Sequence, residues 1–125
     1  MGEGDRLKKS NACGHMSKLR FDSQGLIPAI IQDEKSGDVL TLCYMNEEAL
    51  RKTVDTGKVH VWRRSLGKLM MKGETSGCVQ IVKKISVDCE NNSLLIKVEQ
   101  VGVACHTGEW TCYYRELKHS GNSGT

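Results

Sequence analysis

Cys89, Cys105 and Cys112 are three thiols set among residues that handle metals and protons. Cys89 lies in Asp88-Cys89-Glu90-Asn91-Asn92, and the other two bracket Cys105-His106-Thr107-Gly108-Glu109-Trp110-Thr111-Cys112. Three thiolates are one ligand short of a closed structural zinc site. A zinc ion held by three protein ligands keeps a fourth position for water, the arrangement that metal-assisted hydrolysis needs. The spacing is not that of a zinc finger, whose ligands pair as C-x₂₋₄-C knuckles. Three buried structural cysteines are the competing reading, because a free cysteine packs as a small hydrophobe. Asp88, Glu90, His106 and Thr107 are poor company for core thiols and favour the metal. His106 directly follows a candidate ligand, and a proton-transfer role is preferred to that of fourth ligand.

Two further patches could do chemistry. Asp88, Glu90 and Asn92 alternate as D-x-E-x-N, which can place three oxygens on one side for a hard cation such as magnesium; a polar hairpin tip explains them equally. Lys72-Gly73-Glu74-Thr75-Ser76-Gly77 offers a cation, an acid, two hydroxyls and two glycines, a composition suited to phosphate, although the order of a P-loop is absent. On pattern alone an ordinary polar loop is the commoner explanation. Arg63 and Arg64 follow Trp62 and could clamp a phosphate or simply edge a strand. His60, between Val59 and Val61, reads as a strand histidine, and Cys43 as a core thiol.

The elements that must position these groups are mostly strands. Ile27 to Gln32 and Asp38 to Tyr44 flank a Ser36-Gly37 turn. Asn46 caps a helix with Glu47 and Glu48 in its first turn, Ala49, Leu50, Thr53 and Val54 on its buried stripe, and Gly57 at its left-handed end. Val59 to Arg64 alternates, and Leu66-Gly67 turns the chain back. Val79, Ile81, Ile85 and Val87 are expected on one face of a strand that returns after Asn91-Asn92 as Leu94, Ile96 and Val98. A last strand is expected from Trp110 to Arg115. One helix among roughly six strands predicts a mostly β (α+β) barrel or sandwich with the helix over one opening.

The bulk composition bounds the rest. The chain has 125 residues, 38% hydrophobic and 26% charged, which suits one domain, expected over 19–118, with a flexible lead over 1–18 and a flexible tail over 119–125. A net charge of +3 is too mild for a nucleic-acid binder. No apolar run approaches a membrane span, and the polar start lacks a secretory core, so a cytoplasmic setting is expected. There, six cysteines are better explained by metal, burial or catalysis than by a disulfide framework.

Taken together, the motifs resemble those of phosphoribosyl-AMP cyclohydrolases, the HisI family of histidine biosynthesis. Asp38-Val39-Leu40 through Tyr44-Met45-Asn46-Glu47-Glu48-Ala49-Leu50 is similar to the family's D-V-L-x-x-x-Y-M-N-x-E-A-L. Lys72 to Gly77 matches K-G-E-T-S-G; Val98-Glu99-Gln100 and Ala104-Cys105-His106-Thr107-Gly108 match V-E-Q and A-C-H-T-G; Cys112-Tyr113-Tyr114-Arg115 is close to C-F-Y-R. The resemblance covers Phe21 to Arg115. It implies a homodimer of pseudo-barrels, each capped by a helix, with zinc held by Cys105 and Cys112 of one chain and Cys89 of the other. It also implies zinc-assisted opening of the N1–C6 bond of the adenine ring of phosphoribosyl-AMP. The substrate's phosphates would give Arg64, Lys72, Glu74, Thr75 and Ser76 a purpose. The resemblance is to the form without the fused pyrophosphohydrolase.

Three places depart from the family pattern. Its magnesium motif D-C-D-x-D reads Asp88-Cys89-Glu90-Asn91-Asn92, which implies weakened magnesium binding. Its W-S-R-S-R reads Trp62-Arg63-Arg64-Ser65-Leu66, and its L-W reads Leu69-Met70. A zinc hydrolase or deaminase acting on another purine nucleotide, and a zinc-stapled binding module without activity, therefore remain as alternatives.

Overall fold

Two hairpins joined side by side make the main sheet. The computed structural model describes residues 16–120, so the expected lead and tail fall largely outside the described residues; Met16, assigned above to the lead, is packed against the core. Strand β1 (Ile27–Asp33) pairs antiparallel with β2 (Val39–Met45). The turn between them is closed by Asp33, whose backbone N–H donates to Asp38 O at 2.8 Å and whose carboxylate accepts the Ser36 N–H at 2.8 Å. Gly37 takes φ 81° there, a conformation that side chains resist. Strand β5 (Gln80–Val87) pairs antiparallel with β6 (Leu94–Gln100), and β6 runs parallel to β1, giving the order β2-β1-β6-β5.

A smaller sheet of β3 (His60–Arg63) and β4 (Lys68–Met71) completes the strands. It is stitched to the edge of β5. Val59 N–H donates to Gln80 O at 3.0 Å, Val82 N–H to Gly57 O at 2.8 Å, and Lys72 N–H to Val59 O at 2.9 Å. Residues 57–59 thus lie between β5 and the end of β4. Among the described residues, six strands in two sheets with one ten-residue helix agree with the mostly β expectation.

Helix α1 (Glu47–Thr56) forms as its signals predict. Asn46 Oδ1 accepts the Ala49 N–H at 2.8 Å, and Gly57 at φ 74° donates to Thr53 O. Ala49, Leu50 and Thr53 are buried, while Val54 is only half-buried. Thr53 is the tie to the sheet: its hydroxyl donates to Ala49 O at 2.8 Å and accepts the His60 N–H at 2.9 Å. Its methyl and hydroxyl are both used, so a buried polar residue carries no unpaired group.

The core beneath α1 gathers alternate residues of the strands. Ile27, Ala29 and Ile31 of β1 meet Leu94, Ile96 and Val98 of β6, with Leu40 and Met45 of β2 and Val59 and Val61 beside them. Burying such aliphatic side chains contributes about 1.5–3 kcal/mol each before the cost of ordering the chain.

Two expectations are corrected. Val79 and Ile81 do not share a face with Ile85 and Val87, because β5 bulges between Val82 and Lys84. Val82 faces Val98, and Ile85 faces Ile96, so one extra residue shifts the alternation. The expected strand from Trp110 to Arg115 is not formed either. Residues 110–112 run along β2 on a single backbone bond, Cys112 N–H to Leu40 O at 2.8 Å. The Thr111 hydroxyl donates to Val39 O at 2.7 Å, and the Trp110 indole donates to Asp38 Oδ2 at 2.9 Å. Side chains do the pairing that a ladder would have done, and no strand propagates.

Candidate active site

The loop after β6 is shaped by its own backbone. Ala104 N–H donates to Trp110 O and Cys105 N–H to Glu109 O, both at 3.1 Å, while Gly108 N–H returns to Cys105 O at 2.9 Å. Gly108 sits at φ 93°, which a side chain would resist. This closed turn holds Cys105 with only 7% exposure and presents His106 outward. The Cys105 thiol lies 3.0 Å from the Thr107 hydroxyl. Hydrogen bonding from Thr107, and secondarily from the Cys112 thiol, holds the Cys105 pKa below its ordinary value against the opposing effect of burial. Cys105 and Cys112 are therefore close neighbours, and Cys105 is disposed toward the thiolate that binds metals.

The loop after β4 forms the opposite wall. Glu74 N–H donates to Met71 O at 3.1 Å, and Glu74 Oε1 accepts the Met71 N–H at 2.8 Å. The glutamate thus shapes the turn with one of its oxygens. Gly73 has a steric reason to be glycine. At φ 84°, an added Cβ would lie 2.5 Å from the Cys78 carbonyl carbon. The Ser76 hydroxyl accepts the Cys78 N–H at 3.2 Å.

Between these walls lies a cavity of about 560 Å³. Cys105, His106 and Cys112 line it on one side, and Lys72, Glu74, Thr75 and Ser76 on the other. A second cavity of about 580 Å³ opens toward the edge of β2, with Tyr44, Trp62, Arg64 and Ser65 in its lining. The two share Val61, Arg63, Lys72, His106 and Cys112, so they adjoin along one face of the molecule and together form a cleft. The Arg64 guanidinium lies 4.3 Å from the Tyr44 ring centroid, a cation–π contact that fixes it beside the second cavity.

Cys89 is elsewhere. It is exposed on the β5–β6 turn and lines neither cavity. Among the described residues of one chain, no three His, Cys, Asp or Glu side chains are grouped to hold a metal ion. Two of the expected zinc ligands converge, and the third does not. A zinc site fits the donors Cys105 and Cys112 provided that a further ligand comes from outside the chain's own cleft.

The Asp88–Asn92 turn suits magnesium less well. Asp88 Oδ1 accepts the N–H groups of Asn92 at 2.9 Å and Ser93 at 3.1 Å. With its amide nitrogen turned to the carboxylate, Asn92 donates to Asp88 Oδ2 at 2.7 Å. Burial raises the Asp88 pKa, but hydrogen bonds from Asn92, Ser93 and Glu90 together outweigh it and leave it lowered. The Asp88 oxygens that a cation would need already accept these N–H groups. Cys78 borders the same cavity as Cys105 and Cys112. Burial pushes the Cys43 pKa up to about 12, as suits a core thiol, and Cys13 lies outside the described residues. The cysteines among the described residues are all free, so no disulfide framework forms there.

Sequence reasoning missed Cys78, Tyr44 and Val103 as lining residues. Cys78 had one local signal: it directly follows the glycine that ends the Lys72–Gly77 loop.

The residues that form the cleft fall within a stretch similar to known proteins. Residues 41–114 match the family model described as Phosphoribosyl-AMP cyclohydrolase. The chain belongs to the phosphoribosyl-AMP cyclohydrolase family. The Phosphoribosyl-AMP cyclohydrolase of Methanothrix thermoacetophila is 56% identical over 102 residues, covering 82% of this chain and 84% of that protein. That of Archaeoglobus fulgidus is 54% identical over 101 residues, covering 81% and 94%. The Histidine biosynthesis bifunctional protein HisIE of Thermoanaerobacter pseudethanolicus is 53% identical over 107 residues, covering 86% of this chain but 49% of that protein. The chain thus spans about half the length of the bifunctional relatives. The family match covers the whole cleft, including both its cysteines and the Lys72–Gly77 loop. Among the described residues, no helix is long and apolar enough to cross a membrane.

Proposed function

We propose that this chain hydrolyses the N1–C6 bond of the adenine ring of 1-(5-phosphoribosyl)-AMP, within histidine biosynthesis. The observation that carries this reading is a single cleft in which Cys105, Cys112 and His106 face Lys72, Thr75 and Ser76. It brings a metal-type thiol pair, a proton carrier and a phosphate-type loop onto one ligand.

Zinc fits Cys105 and Cys112 with Cys89 supplied by a second copy of the chain; when bound, it supplies an activated water at neutral pH. An exposed apolar row on the outer face of the main sheet supports such a pairing of copies. Ile30 is 38% exposed and Leu42 43% exposed, and they are opposite one another across β1 and β2.

The chain's own residues then divide the work. Lys72 and the hydroxyls of Thr75 and Ser76 hold a phosphate, with Gly73 keeping the loop close. Arg64, braced on Tyr44, addresses the other end of the cleft. Thr107 holds the Cys105 thiol in place. His106, exposed where the two cavities meet, carries the proton to ring nitrogen N1 as that nitrogen departs. A C6–O bond forms, N1–C6 breaks, C6 becomes a carboxamide with its exocyclic amine retained, and N1 leaves as a formimino nitrogen. Substitution at N1 makes the ring electron-poor, which is why C6 accepts water.

The test is ultraviolet-monitored turnover of phosphoribosyl-AMP by zinc-loaded protein, beside Cys105→Ser. Ring opening by the parent protein and none by the variant supports the proposal. No ring opening by folded, zinc-containing protein refutes it.

A further inference from the structure

The second cavity is lined by three cations and no carboxylate. Arg63, Arg64 and Lys72 all border it. None of the ion pairs formed by the described residues involves any of the three. An opening of about 580 Å³ with that charge imbalance is suited to an anion.

Arg63 stands out within this set. It borders both cavities, whereas Arg64 borders only the second. Its neighbour across the β3–β4 ladder is Lys68, so two like charges are directly opposite on the small sheet. Such a pairing destabilises a sheet unless an anion offsets it. Lys68 itself borders neither cavity, and Leu66, where the family pattern carries an arginine, is 56% exposed and borders neither as well. The arginine shifted along this segment is therefore the one that reaches the junction of the cleft.

We infer that Arg63 is a substrate-positioning residue that, with Arg64, forms a second phosphate subsite at the far end of the cleft from Thr75 and Ser76, with Lys72 bordering both. The cleft would then take a ligand with a phosphate at each end and hold the purine between them, beside His106 and Cys112. The inference deepens the cyclohydrolase reading and rests on it for the ligand's identity. The anion subsite itself rests only on the residues named.

The experiment uses the full chain with zinc, in four forms: parent, Arg63→Ala, Arg63→Lys and the charge control Lys68→Ala. Arg63 is the exposed last residue of β3, so Ala should fold; Arg63→Gln serves if its melting temperature falls. With phosphoribosyl-AMP, Arg63→Ala should raise KM about tenfold or more while kcat changes less than about threefold, and Arg63→Lys should recover part of the loss. Lys68→Ala should leave KM within about twofold, although it removes the same charge. Equal KM in Arg63→Ala and Lys68→Ala overturns the inference and leaves the cyclohydrolase reading standing. If the parent does not turn over phosphoribosyl-AMP, inorganic phosphate becomes the probe, read by tryptophan fluorescence because Trp62 lines the same cavity. Weaker phosphate binding in Arg63→Ala than in Lys68→Ala then upholds the subsite while the cyclohydrolase reading falls. Equal binding in both overturns the subsite as well.

Discussion

Two turns carry the candidate zinc thiols, and they are built on opposite principles. The turn at 88–93 is held mainly by bonds within itself: the Asp88 carboxylate accepts N–H groups from Asn92 and Ser93, Asn91 takes φ 61°, and one outside tie, Arg20 N–H to Asn91 O at 2.6 Å, joins it to the chain before β1. It leaves Cys89 exposed at a tip. The loop at 104–112 is held by the rest of the fold as well: Cys112 bonds to Leu40, Thr111 to Val39 and Trp110 to Asp38. It tucks Cys105 into the cleft beside Cys112. A locally closed turn can be presented to another molecule without altering its own fold. A loop bound to several strands is fixed only in the folded chain. On the proposed reading, the first turn would serve the site of a second copy and the second turn the chain's own.

The largest expected effect breaks that comparison directly. Cys89→Ser and Cys105→Ser should each abolish turnover and zinc retention, although one thiol is exposed and the other buried. Verified heterodimers of the two variants should recover about half of the parent turnover, because one of the two sites would draw all three thiols from unaltered positions. Heterodimers without activity would mean that each chain builds its site alone. Next comes His106→Ala, which should lower kcat by about 10²–10⁴ while zinc content stays at the parent level. Loss of the metal in that variant would make His106 a ligand and close the site. Gly73→Ala sharpens the contrast on the opposite wall. Its Cβ would strike the Cys78 backbone at a positive φ, so stability should fall by about 1–3 kcal/mol in denaturant titration, with KM rising as the loop shifts.

The smallest effect is a pH dependence. Burial raises the Asp33 pKa, but the Ser36 and Gln100 hydrogen bonds and the charge of Lys35 outweigh it and leave it lowered. A depressed folded pKa contributes stability that is present above the unfolded carboxylate value of ~3.9 and is lost as pH falls through the folded value. Parent and Asp33→Asn should therefore differ most at neutral pH in urea titrations, and the difference should close in acid. A gap that widens in acid would reverse the assigned sign.

Much of the fold was legible in the sequence because its signals are local. Asn46, Glu47, Glu48 and Gly57 bound α1 at the expected residues, since caps act through their own turn. Leu94, Ile96 and Val98 bury as their period of two requires. The β5 bulge was not legible, because it depends on how that strand meets β6 rather than on its own pattern. The strand expected at Trp110–Arg115 failed for a related reason: Trp110 and Thr111 spend their polar groups on Asp38 and Val39, some seventy residues earlier in the chain. At the site, the motif residues were legible as chemical types. That Tyr44 joins them was not, since it carries no pattern that points to the cleft, and Cys78 had only its place after Gly77 to mark it.

The sequence by itself determined the residue types of the chemistry, the helix with both its caps, and the alternation that selects the core face of β1 and β6. Each follows from forces between near neighbours or from a fixed backbone period. Only the tertiary structure decided that Lys72, His106 and Cys112 meet, that Cys89 stands apart from them, and that Arg63 reaches both ends of the cleft. Those outcomes depend on which strand edges remain free once the core has closed, and free edges are a property of the assembled sheets rather than of any one segment.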